Sequence, residues 1–267
     1  MAHGIPVLQP VKLKDPEFLS ALRAWKADLF VVVAFRMLPE EVWSMPRLGT
    51  FNLHAALLPQ YRGAAPINWA VINGEKMSGV TTFMIDKDID TGGIILRQEV
   101  RIRPDETAGE LHDELMEVGS DLVLQTVEGL IQHNVELRVQ RSFIQGSEAL
   151  KPAPKLTREL CHIDWSRPTD EIYNLIRGLS PYPTAFTELC HSGLAPESQT
   201  LKIFRTEKRP DLHAAPGTVL SDGKSWIAIA TGDGALELTD LQLAGKKRMG
   251  AADFLRGFRD PQAWRAE

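Results

Sequence analysis

Cysteine is scarce in this sequence: 267 residues hold two, Cys161 and Cys190. Two cysteines cannot build a disulfide framework, and no CxxC pair is there to hold zinc. Long apolar runs are missing as well. The longest, Leu29 to Phe35, is seven residues, against the ~20 that a membrane-spanning helix needs. The opening MAHGIPVLQP lacks a charged lead-in, an apolar core and a small-residue cleavage site, so it does not read as a secretory signal. No internal repeat, low-complexity tract or G-x-S-x-G elbow occurs. What remains is ordinary: 43% hydrophobic, 24% charged and 7% aromatic residues, with a net charge of −5. That composition excludes disordered and fibrous classes, and the length allows one large domain or two smaller ones. The expectation is a reduced, cytoplasmic protein with no membrane partner.

Charge is unevenly distributed. Residues 1–150 carry 14 basic and 20 acidic side chains, whereas residues 241–267 carry six basic and three acidic ones. A locally basic tail on an acidic protein fits a polyanionic partner, and it also fits an ordinary solvated face.

The first half alternates strand and helix patterns. Ile5-Pro6-Val7-Leu8 is a short apolar segment. Asp15-Pro16 reads as an N-cap with Pro at the first helical position, and the helix runs to Ala27. Leu29–Phe35 predicts a strand buried on both faces, Pro39 opens a short helix, and Thr50–His54 is a second strand. Pro66–Asn73 reads as a helix, and Gly79–Ile85 and Gly93–Val100 as strands. Thr107 caps a long helix with Leu111, Leu115, Val118, Leu122, Leu124, Val127 and Ile131 as its apolar stripe. Trp25 and Trp43 fall at core positions. The alternation predicts an α/β fold, a doubly wound, mostly parallel sheet with helices on both faces and ligands beyond the strand ends. GSEALKPAPKLTR, from Gly146 to Arg158, reads as a linker. Past a helix at Asp170–Arg177, strands near 184–190, 201–206, 217–220, 225–230 and 235–243 predict a small β-barrel. Three regions result: a catalytic domain at 1–145, a linker at 146–158, and a second domain at 159–267 that folds independently.

In a strand, Asn52 and His54 share a face. An amide donor and an imidazole at a strand end suit acyl transfer: Asn donates to an oxyanion and His accepts a proton. A polar pair bonded to backbone is the alternative. With no Ser or Cys nucleophile in an elbow, direct attack on a bound acyl donor is favoured over a covalent intermediate. Asp86, Asp88 and Asp90 are candidates to orient His54, and spacing does not choose among them. His112 and His133 read as surface groups. His162, His191 and His213 have no ligand-like partners, so no metal is expected.

The run NLHAALLPQYRGAAPINWAVINGE, followed by GVTTFMID and DIDTGG, resembles the folate-dependent formyltransferases. RGAAPI is most similar to the branch acting on charged initiator tRNA, and LQLAGKKRMGAADFLRG (Leu241 to Gly257) is similar to that branch's closing barrel segment. The resemblance spans nearly the whole chain. It implies formyl transfer from 10-formyltetrahydrofolate to the amino group of initiator methionyl-tRNA, a monomer, and an OB-like second domain. It implies Asn52, His54 and Asp90 as the catalytic set, with Asp90 holding the His54 tautomer. Phe35, Arg36, Met37 and Leu38, Ala56, Leu57, Leu58 and Pro59, and Ile85 and Asp86 would line the folate site. Lys246, Lys247 and Arg248 would meet tRNA phosphates. Position 56 is Ala where the family usually has Ser. The family also opens with a strand–helix–strand unit that this sequence does not show, and MAHGIPVLQP resembles the end of the loop following it. On that basis the 267 residues alone are expected to express poorly and lack activity. Two other readings stand beside the main one: a formyltransferase acting on a nucleotide amino sugar, and an inactive remnant.

Overall fold

The computed structural model describes residues 3–34, 37–144, 149–191 and 198–267. The first half contains α1 (Pro16–Ala24), β1 (Phe30–Val33), α2 (Glu40–Trp43), β2 (Thr50–His54), α3 (Pro66–Ile72), β3 (Met77–Met84), β4 (Ile94–Arg101) and α4 (Ala108–Ile131). A 3-10 turn at Gln140–Phe143 follows, then α5 (Arg158–Cys161) and α6 (Thr169–Leu179). The rest is mostly strand: β5 (Ala185–His191), β6 (Ser198–Lys208), β7 (Val219–Ser221), β8 (Ile227–Ala230), β9 (Ala235–Leu243), β10 (Met249–Gly250), α7 (Ala251–Leu255) and β11 (Trp264–Ala266). The chain forms two compact units, and neither is one continuous stretch.

The first unit takes Met1–Gly63, Gly79–Val100 and Leu115–Pro152. Its sheet has the order β1-β2-β3-β4. The expected parallel pairing joins β1 to β2, with Val33 opposite Leu53. β3 then runs antiparallel to β2, with His54 opposite Thr81. Asp15 caps α1 as expected, accepting from the Glu17 N–H at 2.9 Å.

Ile5–Leu8 is exposed and lies outside the sheet. Two expectations need correction here. β1 is not buried on both faces: Val31 and Val33 are 43% and 55% exposed, since the strand is the sheet edge and one of its faces is uncovered. Trp25, the C-cap of α1, is exposed at the helix end, whereas Trp43 is half-buried.

The stripe of α4 also differs from its apolar sequence pattern. Leu111, Leu115 and Leu122 are buried, but Leu124 and Ile131 face out. In this unit the sheet-facing row uses small residues instead. A Cβ on Gly119 would stand 2.9 Å from Leu53 Cδ2, so glycine sets the helix-to-sheet approach. Two turns on, Thr126 Oγ1 bonds Thr82 Oγ1 at 2.8 Å.

The second unit takes Ala64–Ser78, Arg101–Glu114 and Ala153–Glu267. Its sheet has the order β11-β5-β6-β9-β8-β7, with β10 on β9. Leu189, Leu201, Ile203, Ile227, Ile229, Leu236, Leu238 and Leu241 fill the interior with Ile172, Ile176 and Leu179 of α6. The two ends of the sheet meet at a Thr218–Arg265 bridge. There the Ala266 N–H donates to the Gly217 carbonyl at 2.9 Å, which gives the expected barrel-like closure. In the stretch read as a linker, Ala153 is fully buried and its carbonyl accepts from Ala64 N–H at 2.7 Å. Residues 145–148 of that neighbourhood lie outside the described residues. Among the described residues, no helix is long and apolar enough to cross a membrane.

Candidate active site

The β2–β3 register decides which side chains meet. Asn52 lies opposite Phe83 and His54 opposite Thr81, so these four share one face. Leu53 and Thr82, on the other face, meet α4. His54 is 6% exposed, with its ring edge-on to Phe83 at 6.5 Å between centroids.

The imidazole is tied at one nitrogen. His54 Nε2 lies 2.8 Å from the Tyr61 carbonyl oxygen. A carbonyl only accepts, so Nε2 carries the hydrogen and the neutral ring keeps its lone pair on Nδ1. Nδ1 faces Asp90 Oδ2 at 3.9 Å, beyond hydrogen-bond length. The Tyr61 carbonyl therefore sets the tautomer, a role the sequence reading gave to Asp90. Burial pushes the His54 pKa down and Arg62 adds to that, while the Asp90 carboxylate and the Tyr61 carbonyl pull the other way. The result is a neutral base at pH 7 whose protonated form would sit beside a carboxylate.

Geometry separates the three loop acids. Asp86 builds the loop, accepting from Asp88 N–H at 3.1 Å and from Thr91 Oγ1 at 2.7 Å. Asp90 instead faces His54, and its Oδ2 accepts from Gly63 N–H at 3.1 Å. Both Tyr61 and Asp90 have left-handed backbones, with φ of 58° and 55°. Asn52 Oδ1 is buried with no hydrogen-bond partner. That oxygen is an acceptor, which a donor on a bound ligand can satisfy, and turning the amide over presents its NH2 donor in the same place.

Gln140 carries no catalytic signature in the sequence, yet it is 3% exposed among these loops. Its Nε2 donates to the carbonyls of Asp90 and Gly92 at 2.8 and 2.9 Å. Its Oε1 accepts from Arg62 Nε and Nη2 at 3.1 and 2.6 Å. It lies 50 residues from Asp90 and 78 from Arg62, where local patterning could not reveal it.

The expected folate residues are placed unequally. Ala56 and Leu58 are fully buried; Leu58 packs with Phe83 and Ile94, and Ala56 offers its carbonyl to Thr81 Oγ1 at 2.6 Å. Pro59 is buried, Leu57, Leu38 and Ile85 are half-buried, and Met37 and Asp86 are exposed. Phe35 and Arg36 lie outside the described residues. In the second unit, Lys246, Lys247 and Arg248 occupy the β9–β10 turn. The two lysines are exposed, whereas Arg248 Nε is bonded to both Asp240 oxygens at 2.9 and 2.8 Å and its guanidinium lies 4.1 Å over Phe204. No three metal-ligating side chains cluster among the described residues.

Two family models match the chain: formyl transferase over residues 3–127, and formyl transferase, C-terminal domain over residues 155–259. The chain belongs to the formyl transferase family. Within it, the similarity extends over nearly the full chain to methionyl-tRNA formyltransferases. That of Azobacteroides pseudotrichonymphae is 55% identical over 96% of this chain and 79% of its own length. That of Bacteroides fragilis is 50% identical over 98% of this chain and 81% of its own. Among solved structures, HypX from Aquifex aeolicus in complex with tetrahydrofolic acid superposes with a TM-score of 0.66. It is 22% identical, over 89% of this chain and 40% of its own, which is a likeness of fold.

Proposed function

We propose that this protein transfers a formyl group from 10-formyltetrahydrofolate to the amino group of methionine carried on initiator tRNA, for translation initiation in the cytoplasm. One observation carries the reading: a neutral, tautomer-fixed His54 faces Asp90, with the Asn52 side chain on the same strand face. The names of the relatives at 50–55% identity support the tRNA acceptor over an amino sugar.

The donor supplies an activated formyl carbonyl. Asn52 steadies the carbonyl oxygen as negative charge develops on it. His54 Nδ1 takes the proton from the attacking amine, directly or through one water, and Asp90 stabilises the imidazolium. His54 then returns that proton to the departing folate nitrogen, so the new C–N bond forms as the old one breaks. Phe35–Leu38, Ala56–Pro59, Ile85 and Asp86 hold the folate in this reading. Lys246, Lys247 and Arg248 meet tRNA phosphates in this reading, with Arg248 oriented by its bonds to Asp240. The protein acts as a monomer.

The test compares charged initiator tRNA with a nucleotide amino sugar as acceptor, in wild type, Asn52→Ala and His54→Ala. Each substitution should lower turnover by ~10²–10³ with little change in KM for the donor. Wild-type turnover in either variant would remove that residue from the mechanism. A wild-type protein that formylates neither acceptor would sink the reading.

A further inference from the structure

We propose that Gln140 is a positioning residue: its buried amide locks the Tyr61–Gly63 turn to the Asp90–Gly92 backbone and so sets the separation of His54 and Asp90. This rests on the acid–base role given to those two residues above. The two loops bring different halves of the machinery. Tyr61 provides the carbonyl that fixes the His54 tautomer, and Gly63 the N–H that holds the Asp90 carboxylate. Neither loop is a regular element, so sheet and helix hydrogen bonds do not register one against the other.

Gln140 makes that registration with all its bonding capacity directed at the two loops. Both N–H groups are spent on Asp90 and Gly92 carbonyls, and the oxygen is spent on Arg62. The amide thus reaches the residue next to Tyr61 on one side and Asp90 itself on the other. The contact on the Asp90 carbonyl also falls where support is needed. A non-glycine residue in the left-handed region persists only when its surroundings hold it there. Gln140 is suited to the task because a carboxylate in its place could not donate to carbonyls, and a hydrocarbon could not bond at all.

Two variants separate positioning from packing. Gln140→Leu keeps volume and removes every bond. Gln140→Glu keeps the acceptor for Arg62 and removes the donors to Asp90 and Gly92. Displacing a reacting group by about 1 Å costs on the order of 10²-fold in rate. In both variants kcat should fall by about 10–100-fold while KM for the formyl donor changes by less than about threefold. Nitrogen NMR of the His54 ring should show one fixed tautomer in wild type and averaged tautomers in the variants. Arg62→Met cuts the same tie from its half-buried end and should act in the same direction, so the proposal remains testable if neither Gln140 variant folds. Unchanged kcat in a variant that melts like wild type would overturn the proposal. So would a kcat loss that only follows the unfolded fraction, with the His54 signals unmoved. If wild type formylates no acceptor yet the variants still release the His54 tautomer, the positioning role stands and the assigned reaction falls.

Discussion

At the scale of single residues, His54 links stability to pH. Burial lowers its pKa from the ordinary 6.5, so the folded ring stays neutral where the unfolded chain has already taken up a proton. Its contribution to stability is therefore complete above about pH 6.5. It is lost progressively as pH falls below that value, and levels off once the folded pKa is passed. Asp90 and Arg62 are the charged groups acting on it, and they oppose one another. The acid limb of kcat/KM should accordingly lie below the ordinary imidazole value, since the free enzyme must hold His54 neutral. Replacing His54 with Gln should flatten the fall in melting temperature between about pH 7 and 5. An acid limb at or above 6.5 would show that burial does not control this ring.

At the scale of elements, the barrel depends on one glycine. Gly217 has φ of +82°, and a Cβ there would stand 2.4 Å from the Ala266 carbonyl oxygen, where the sheet ends meet. Gly217→Ala forces an alanine into the left-handed region and crowds the backbone. A loss of about 1–3 kcal/mol is expected, read as a lower denaturant midpoint. A midpoint unchanged by the substitution would mean that closure at Thr218–Arg265 bears no load.

Much of this level was legible in the sequence. Turn residues such as Ser221-Asp222-Gly223 separate β7 from β8, and the strands expected near 184–190 and 235–243 lie close to the observed β5 and β9, whereas β6 reaches beyond the expected 201–206 at both ends. The Asp15 cap and the shared face of Asn52 and His54 followed from local chemistry alone. Two-residue β10 and three-residue β11 were not visible, being too short to show a period. The buried row of α4 misled because glycine and threonine, not the larger Leu124 and Ile131, face the sheet. Gln140 was missed for a different reason: its partners are distant in sequence, and a lone glutamine has no pattern.

At the scale of the molecule, the second unit does not begin where the barrel strands begin. Arg177, 7% exposed on α6, donates to the Glu106 carbonyl at 3.0 Å and to the Val71 carbonyl at 3.4 Å. Asn68 on α3 donates to the Gly178 carbonyl at 2.8 Å. These partners come from Ala64–Ser78 and Arg101–Glu114. A fragment starting at Ala153 loses these hydrogen bonds and the Ile72 packing against Gly178, and so uncovers one flank of α6. Each lost hydrogen bond is worth about 0.5–1.5 kcal/mol net and the exposed apolar area adds to that, against a total domain stability of about 5–15 kcal/mol. The fragment should melt well below the full chain or fail to fold, contrary to the independent folding expected from sequence. A fragment melting within a few degrees of the full chain would restore that expectation.

The same interleaving has a timetable. Asn68 and Val71 leave the ribosome roughly 100 residues ahead of the α6 segment that receives them. At ~5–20 residues per second, that gap is about 5–20 s during which α3 has no partner for the flank it later packs on α6. Translation speed across residues 72–170 therefore sets how long a nascent chain carries that uncovered flank. Synonymous codons in that window become a lever on yield that leaves the protein's composition untouched.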